Sequence, residues 1–156
     1  MRKVFLFTLV VSLALLAFST TAPAQKKGKG KAKEKATGGR RLSANLTGAA
    51  EVPGPGDADG KGTAKVTLNH GKGEVCYELS VSNIQAATAA HIHQGPAGQA
   101  GDVKVPFTAP ANGKSKGCVS ADRDLIKDIM QNPANYYVNV HNAEFPKGAI
   151  RGQLGK

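Results

Sequence analysis

Tryptophan is absent from this 156-residue chain, and aromatic residues together make up only 5% of it. A core must therefore rest mainly on aliphatic side chains. There are only two cysteines, Cys76 and Cys118, and no C-x-x-C pair, so no usual zinc or redox spacing occurs. After residue 18 no apolar run is long enough to cross a bilayer, which takes about 20 residues. No Ser/His/Asp nucleophile motif, phosphate loop or pair of catalytic carboxylates stands out, and no internal repeat is visible. These absences leave no established catalytic motif on which to call the chain an enzyme.

What is present begins with an export pattern. Arg2 and Lys3 precede an apolar run from Val4 to Phe18, and Ala22-Pro23-Ala24 forms a small-x-small cleavage site. Residues 1–24 therefore read as a signal peptide, with the mature chain starting at Gln25. An uncleaved anchor is the alternative. No cysteine follows the run to carry a bacterial lipid anchor. The expected location is secreted or periplasmic, with no transmembrane span after cleavage.

The formal charge of +10 is unevenly placed. Residues 25–41 hold eight basic residues and one acid, whereas residues 42–156 hold eleven basic and ten acidic. The first stretch is Lys, Gly and Ala without large apolar residues, so it reads as a disordered basic linker. An anionic surface is one possible partner for it, and a solvated linker is the other reading. Nucleic acid is disfavoured, because no aromatic residue is interleaved with the lysines.

From Leu42 to Lys156 the pattern is that of one small domain. Leu42, Ala44 and Leu46 alternate, as do Ala64, Val66 and Leu68, and Val75, Tyr77, Leu79 and Val81. Turn residues at 69–73 join the second and third of these runs into a hairpin. Ala89–His93 and Val103–Phe107 follow, the latter read as an edge or irregular strand because of Pro106. Leu125, Ile126, Ile129 and Met130 recur at helical spacing within Asp122–Gln131, and Asn132-Pro133 ends that helix. Tyr136–His141 and Ala149–Leu154 close the chain as strands. Several short strands with one helix predict an antiparallel β-sandwich or barrel. An even cysteine count in an oxidising compartment favours a Cys76–Cys118 disulfide, with a free thiol pair or a metal site as alternatives.

Three of the four histidines fall in predicted strands. His91 and His93 stand at i and i+2, hence on one strand face. His141 ends a late strand, and if the two strands are neighbours the three imidazoles converge. Neutral imidazole suits copper and zinc, and three ligands leave an open coordination position. Interior histidines that hydrogen-bond a loop are the other reading. His70 lies in a polar turn and reads as exposed. Arg151 either orients an anion near the site or pairs with an acid such as Glu144. Tyr136 and Tyr137 read as packing residues, and Asn45-Leu46-Thr47 fits a glycosylation acceptor.

Four stretches carry a resemblance. They are Leu46-Thr47-Gly48-Ala49-Ala50-Glu51-Val52-Pro53, Ala90-His91-Ile92-His93-Gln94-Gly95-Pro96-Ala97-Gly98, Tyr136-Tyr137-Val138-Asn139-Val140-His141, and Phe145-Pro146-Lys147-Gly148-Ala149-Ile150-Arg151-Gly152-Gln153-Leu154. Together they resemble the CHRD domain family, the module named after the secreted developmental protein chordin and also found singly in bacterial exported proteins. The resemblance covers residues 42–154 and implies an extracellular β-sandwich with no settled biochemical activity. An unknown extracellular protein is then a candidate partner. More distantly, His91, His93 and His141 are similar in order to the copper ligands of Cu,Zn superoxide dismutase, and Arg151 resembles that enzyme's substrate-guiding arginine. The fold this implies is a Greek-key, superoxide-dismutase-like sandwich. No histidine lies between His93 and His141, so a dismutase-type zinc site is absent. The similarity supports a single three-histidine copper site. The alternative is a non-catalytic binding module with structural histidines.

Overall fold

The computed structural model describes residues 39–156. The expected signal peptide and most of the basic linker lie outside the described residues.

The described residues fold as eight strands and one α-helix: β1 Arg40–Thr47, β2 Lys61–Asn69, β3 Glu74–Ser82, β4 Ala87–Gln94, β5 Val103–Phe107, β6 Lys114–Ser120, α1 Arg123–Gln131, β7 Tyr136–Asn142 and β8 Ile150–Gln153. Arg40 and Arg41, grouped with the linker by composition, already belong to β1 and pair with Leu68 and Thr67. Every neighbouring pair is antiparallel, in the order β5-β4-β7-β8-β1-β2-β3-β6. The two edge strands approach each other. Across that seam the Ser115 hydroxyl of β6 donates to the carbonyl of Thr108, which follows β5 (2.8 Å), and the Thr108 N–H donates to the hydroxyl of Tyr77 on β3, the next strand in (2.9 Å). Counted through the seam, β4 to β7 run in the order 7-4-5-6, which is the Greek-key arrangement. The all-β sandwich with one short helix is thus the observed fold.

Alternation in the sequence becomes alternation in burial. Leu42, Ala44 and Leu46 point inward from β1 while their neighbours are exposed, and β2 and β3 do the same. The inward residues form one cluster with Ile92, Val105, Val138, Val140 and Ile150. Each large aliphatic side chain buried there contributes about 1.5–3 kcal/mol of transfer free energy. Helix α1 adds Ile126 and Ile129 to the same cluster, and the Asp122 carboxylate caps its start by accepting from the Leu125 N–H (2.9 Å). Pro106 does sit on an end strand, opposite His91, where a missing N–H breaks no ladder on the free side. Cys76 and Cys118 are bridged, at directly paired positions of β3 and β6.

Strands β7 and β8 break the alternation, and Ile150 to Gly152 of β8 are buried in succession. Residues Tyr136 to Val140 of β7 are all buried. Their inner side chains join the core. Their outer ones, Tyr137 and Asn139, are covered by loops, and that covered outer face carries the histidines.

Candidate metal centre

Strands β4 and β7 are direct neighbours, with His91 opposite Asn139, His93 opposite Tyr137 and His141 opposite Ala89. These positions alternate with the core residues Ala90, Ile92, Val138 and Val140, so all three imidazoles stand on the outer face. Ring centroids are 5.4 Å apart for His91 and His93, 5.2 Å for His91 and His141, and 5.9 Å for His93 and His141. One nitrogen from each ring lies within 4.8 Å of the others, a group that can hold a metal ion.

Backbone carbonyls set the ring orientations. His93 Nδ1–H donates to the Gly101 carbonyl (2.9 Å), and His141 Nδ1–H donates to the Pro146 carbonyl (3.2 Å). Both rings therefore present the Nε2 lone pair. The second nitrogen of a metal-binding histidine is ordinarily held in this way. The Nε2 of His93 is buried and has no partner. A buried acceptor left unpaired costs about 1–3 kcal/mol, which a ligand would recover. His91 Nδ1 lies 3.3 Å from His141 Nε2, so without an ion the His91 Nδ1–H donates to the His141 Nε2 lone pair. With Nδ1 of His93 and His141 engaged by carbonyls, their Nε2 atoms and one nitrogen of His91 are the atoms free to meet an ion.

Electrostatics keeps the rings neutral. His141 is pushed down to about 4 by burial, then by the charges that His91 and His93 would carry. Burial also lowers His91 and His93, helped by His93 in the first case and by Arg151 in the second. Protonating one ring disfavours protonating the next. Near neutral pH all three offer lone pairs, as a metal requires.

A glycine makes the His93 contact possible. A Cβ on Gly101 would fall 1.6 Å from the Gln94 carbonyl oxygen, so only glycine lets the 95–101 loop return that closely to β4. The extra residue on β5 between the pairs Ile92–Val105 and His93–Val103 forms a bulge at the same place.

Arg151 lies beside the cluster and is 1% exposed. Its guanidinium stacks 3.4 Å from the Tyr137 ring centre, and Nη2 donates to the Pro96 carbonyl (2.9 Å) and Gln153 Oε1 (3.1 Å). The alternative pairing with Glu144 does not form, because that carboxylate accepts from Gln85 Nε2 (2.8 Å) instead. Tyr137 stacks on His93 as well, with centroids 4.9 Å apart and planes 10° apart. As β7 lies between β4 and β8, the ring is held between His93 and Arg151. Tyr137 is thus a packing residue with a specific task, and its hydroxyl accepts from the Gly101 N–H (3.1 Å).

Glu51 enters from the loop after β1. It is 5% exposed, accepts from Asn139 Nδ2 (3.3 Å), and has Oε1 buried without a partner. Burial pushes its carboxyl up to about 7, against the opposing pull of Arg151 and the Asn139 hydrogen bond. Sequence reasoning gave this residue no role. Its signal was an acid set directly before the Val52-Pro53-Gly54-Pro55 loop, where composition alone suggests only a turn. His70 is exposed in its turn and takes no part.

An antiparallel sandwich with three histidines converging on its outer face defines a class of small β-domain with a candidate metal centre. The family model for the CHRD domain matches residues 42–154, and the chain belongs to that family. No curated protein matches the chain, and no solved structure does either.

Proposed function

We propose that the CHRD domain binds one copper ion through His91, His93 and His141 in an exported protein that stores, delivers or reacts through the metal. The observation carrying this reading is the buried, unpartnered Nε2 of His93 beside two further imidazoles. A purely structural histidine would have both ring nitrogens satisfied. Copper is favoured over zinc because imidazole sites bind divalent copper more strongly. A copper ion held there supplies Lewis acidity and one-electron redox chemistry. Arg151 contributes an anion-orienting role only through Nη1, which is buried without a partner. Export is supported by the N-terminal pattern and by the disulfide. Among the described residues no helix is long and apolar enough to cross a membrane.

Copper titration of the purified protein, followed by calorimetry and electron paramagnetic resonance, tests the site. Replacing any one of the three histidines by Ala should weaken binding by at least about tenfold, the scale of lost ligand or outer-shell contacts, whereas His70→Ala should change little. Equal copper binding by wild type and the triple Ala variant would sink the proposal. The competing reading is a metal-free extracellular binding module. It is favoured by the His91–His141 contact, which lets two of the rings satisfy each other.

A further inference from the structure

The outer face on the opposite half of the sheet, β1-β2-β3-β6, differs in kind from the histidine face. Cross-strand register sets Thr63, Ser80 and Lys114 in one row, and Lys65, Glu78 and Lys116 in the next. These residues line a groove of about 660 Å³. Lys61 and Arg41 extend the same face on β2 and β1. The face carries five basic residues against Glu74 and Glu78, while the remainder of residues 42–156 holds seven basic and eight acidic. Positive charge is therefore concentrated here rather than spread over the domain. Among the described residues the one ion pair within 4 Å is Lys104–Asp102, so none of these five cations is held in a direct ion pair with a described residue, and Glu78 is the one acid in the Lys65–Lys116 row. Residues 25–38, with six lysines, lead directly into β1.

The chemistry of the face narrows the partner. No aromatic side chain points outward from it, so nucleic-acid bases find no stacking platform. Among the described residues the one exposed large hydrophobic residue, Val103, lies on β5, so the face has no apolar anchor for a membrane and no hot-spot centre for a protein partner. Ammonium groups beside Thr63 and Ser80 hydroxyls fit a chain that carries carboxylates and hydroxyls together. We infer that this basic groove across β2, β3 and β6 binds an acidic polysaccharide of the polyuronate class. The inference stands apart from the histidine site.

Polygalacturonate oligomers are the probe, with neutral dextran as the blank. The full chain is compared with Lys65→Gln/Lys114→Gln/Lys116→Gln and with a charge-matched control, Lys72→Gln/Lys127→Gln/Lys156→Gln. All six lysines are exposed, so both variants should melt like wild type. Calorimetry at moderate salt should show the groove variant about tenfold weaker and the control within about twofold. Rising salt should weaken wild type more steeply than the groove variant. Equal losses in the two triple variants would overturn the groove. Absence of polygalacturonate binding by wild type, or tighter binding to duplex DNA or phosphatidylserine vesicles, would overturn the assigned partner.

Discussion

Glu51→Gln should stabilise the domain at pH 8 and leave it nearly unchanged at pH 5. Folding raises the Glu51 carboxyl from 4.5 to about 7, with desolvation as the main cause. The folded state therefore holds the proton more tightly than the unfolded chain. The stability this contributes is fully present below pH 4.5 and is lost as pH rises through about 7. A shift of that size corresponds to roughly 3 kcal/mol, an upper figure because water can relax around the charge. For a domain of this size it equals roughly 10 °C in melting temperature. Glutamine imitates the protonated acid and does not titrate, so the variant-minus-wild-type difference isolates this one group from the histidines. The assay is thermal unfolding of both proteins at half-unit steps from pH 5 to 8.5. The difference should grow with pH and level off above pH 8. A difference that stays flat across that range would show that the carboxylate is solvated or paired, and the reasoning would fail.

Three further outcomes are expected. Cys76→Ser/Cys118→Ser should lose about 4 kcal/mol of stability, because the bridge closes a 42-residue separation; an unchanged urea midpoint would contradict this. The triple Ala variant should gain stability relative to metal-free wild type as pH falls from 6.5 toward 4 in a urea-midpoint series, since His91, His93 and His141 all take up protons more readily when unfolded, while Glu51 titrates in both proteins and cancels in the difference; a constant difference would refute this. Gly101→Ala should displace the carbonyl that orients His93, altering the copper paramagnetic resonance spectrum, while a spectrum identical to wild type would show that this contact does not set the ligand geometry.

Period-two alternation in Leu42–Leu46, Ala64–Leu68 and Val75–Val81 was sufficient to place three strands and their inward faces, because a half-buried strand writes its environment into every second residue. The helix was equally legible from Ile126 and Ile129, whereas its Asp122 cap came only from the structure, which also chose the edge position for β5 over the irregular strand that Pro106 equally allowed. The i, i+2 spacing likewise fixed His91 and His93 on one face. Only the tertiary structure set β7 beside β4, since antiparallel pairing between residues some 50 positions apart leaves no local trace. The same holds for the environment of Arg151. Its sequence neighbours allowed a pairing with Glu144, yet the fold stacked it on Tyr137 and sealed it under Pro96. Glu51 shows the limit most clearly. Its identity is in the sequence, but its raised affinity for a proton arises from desolvation, and desolvation exists only once the loop has closed over β7.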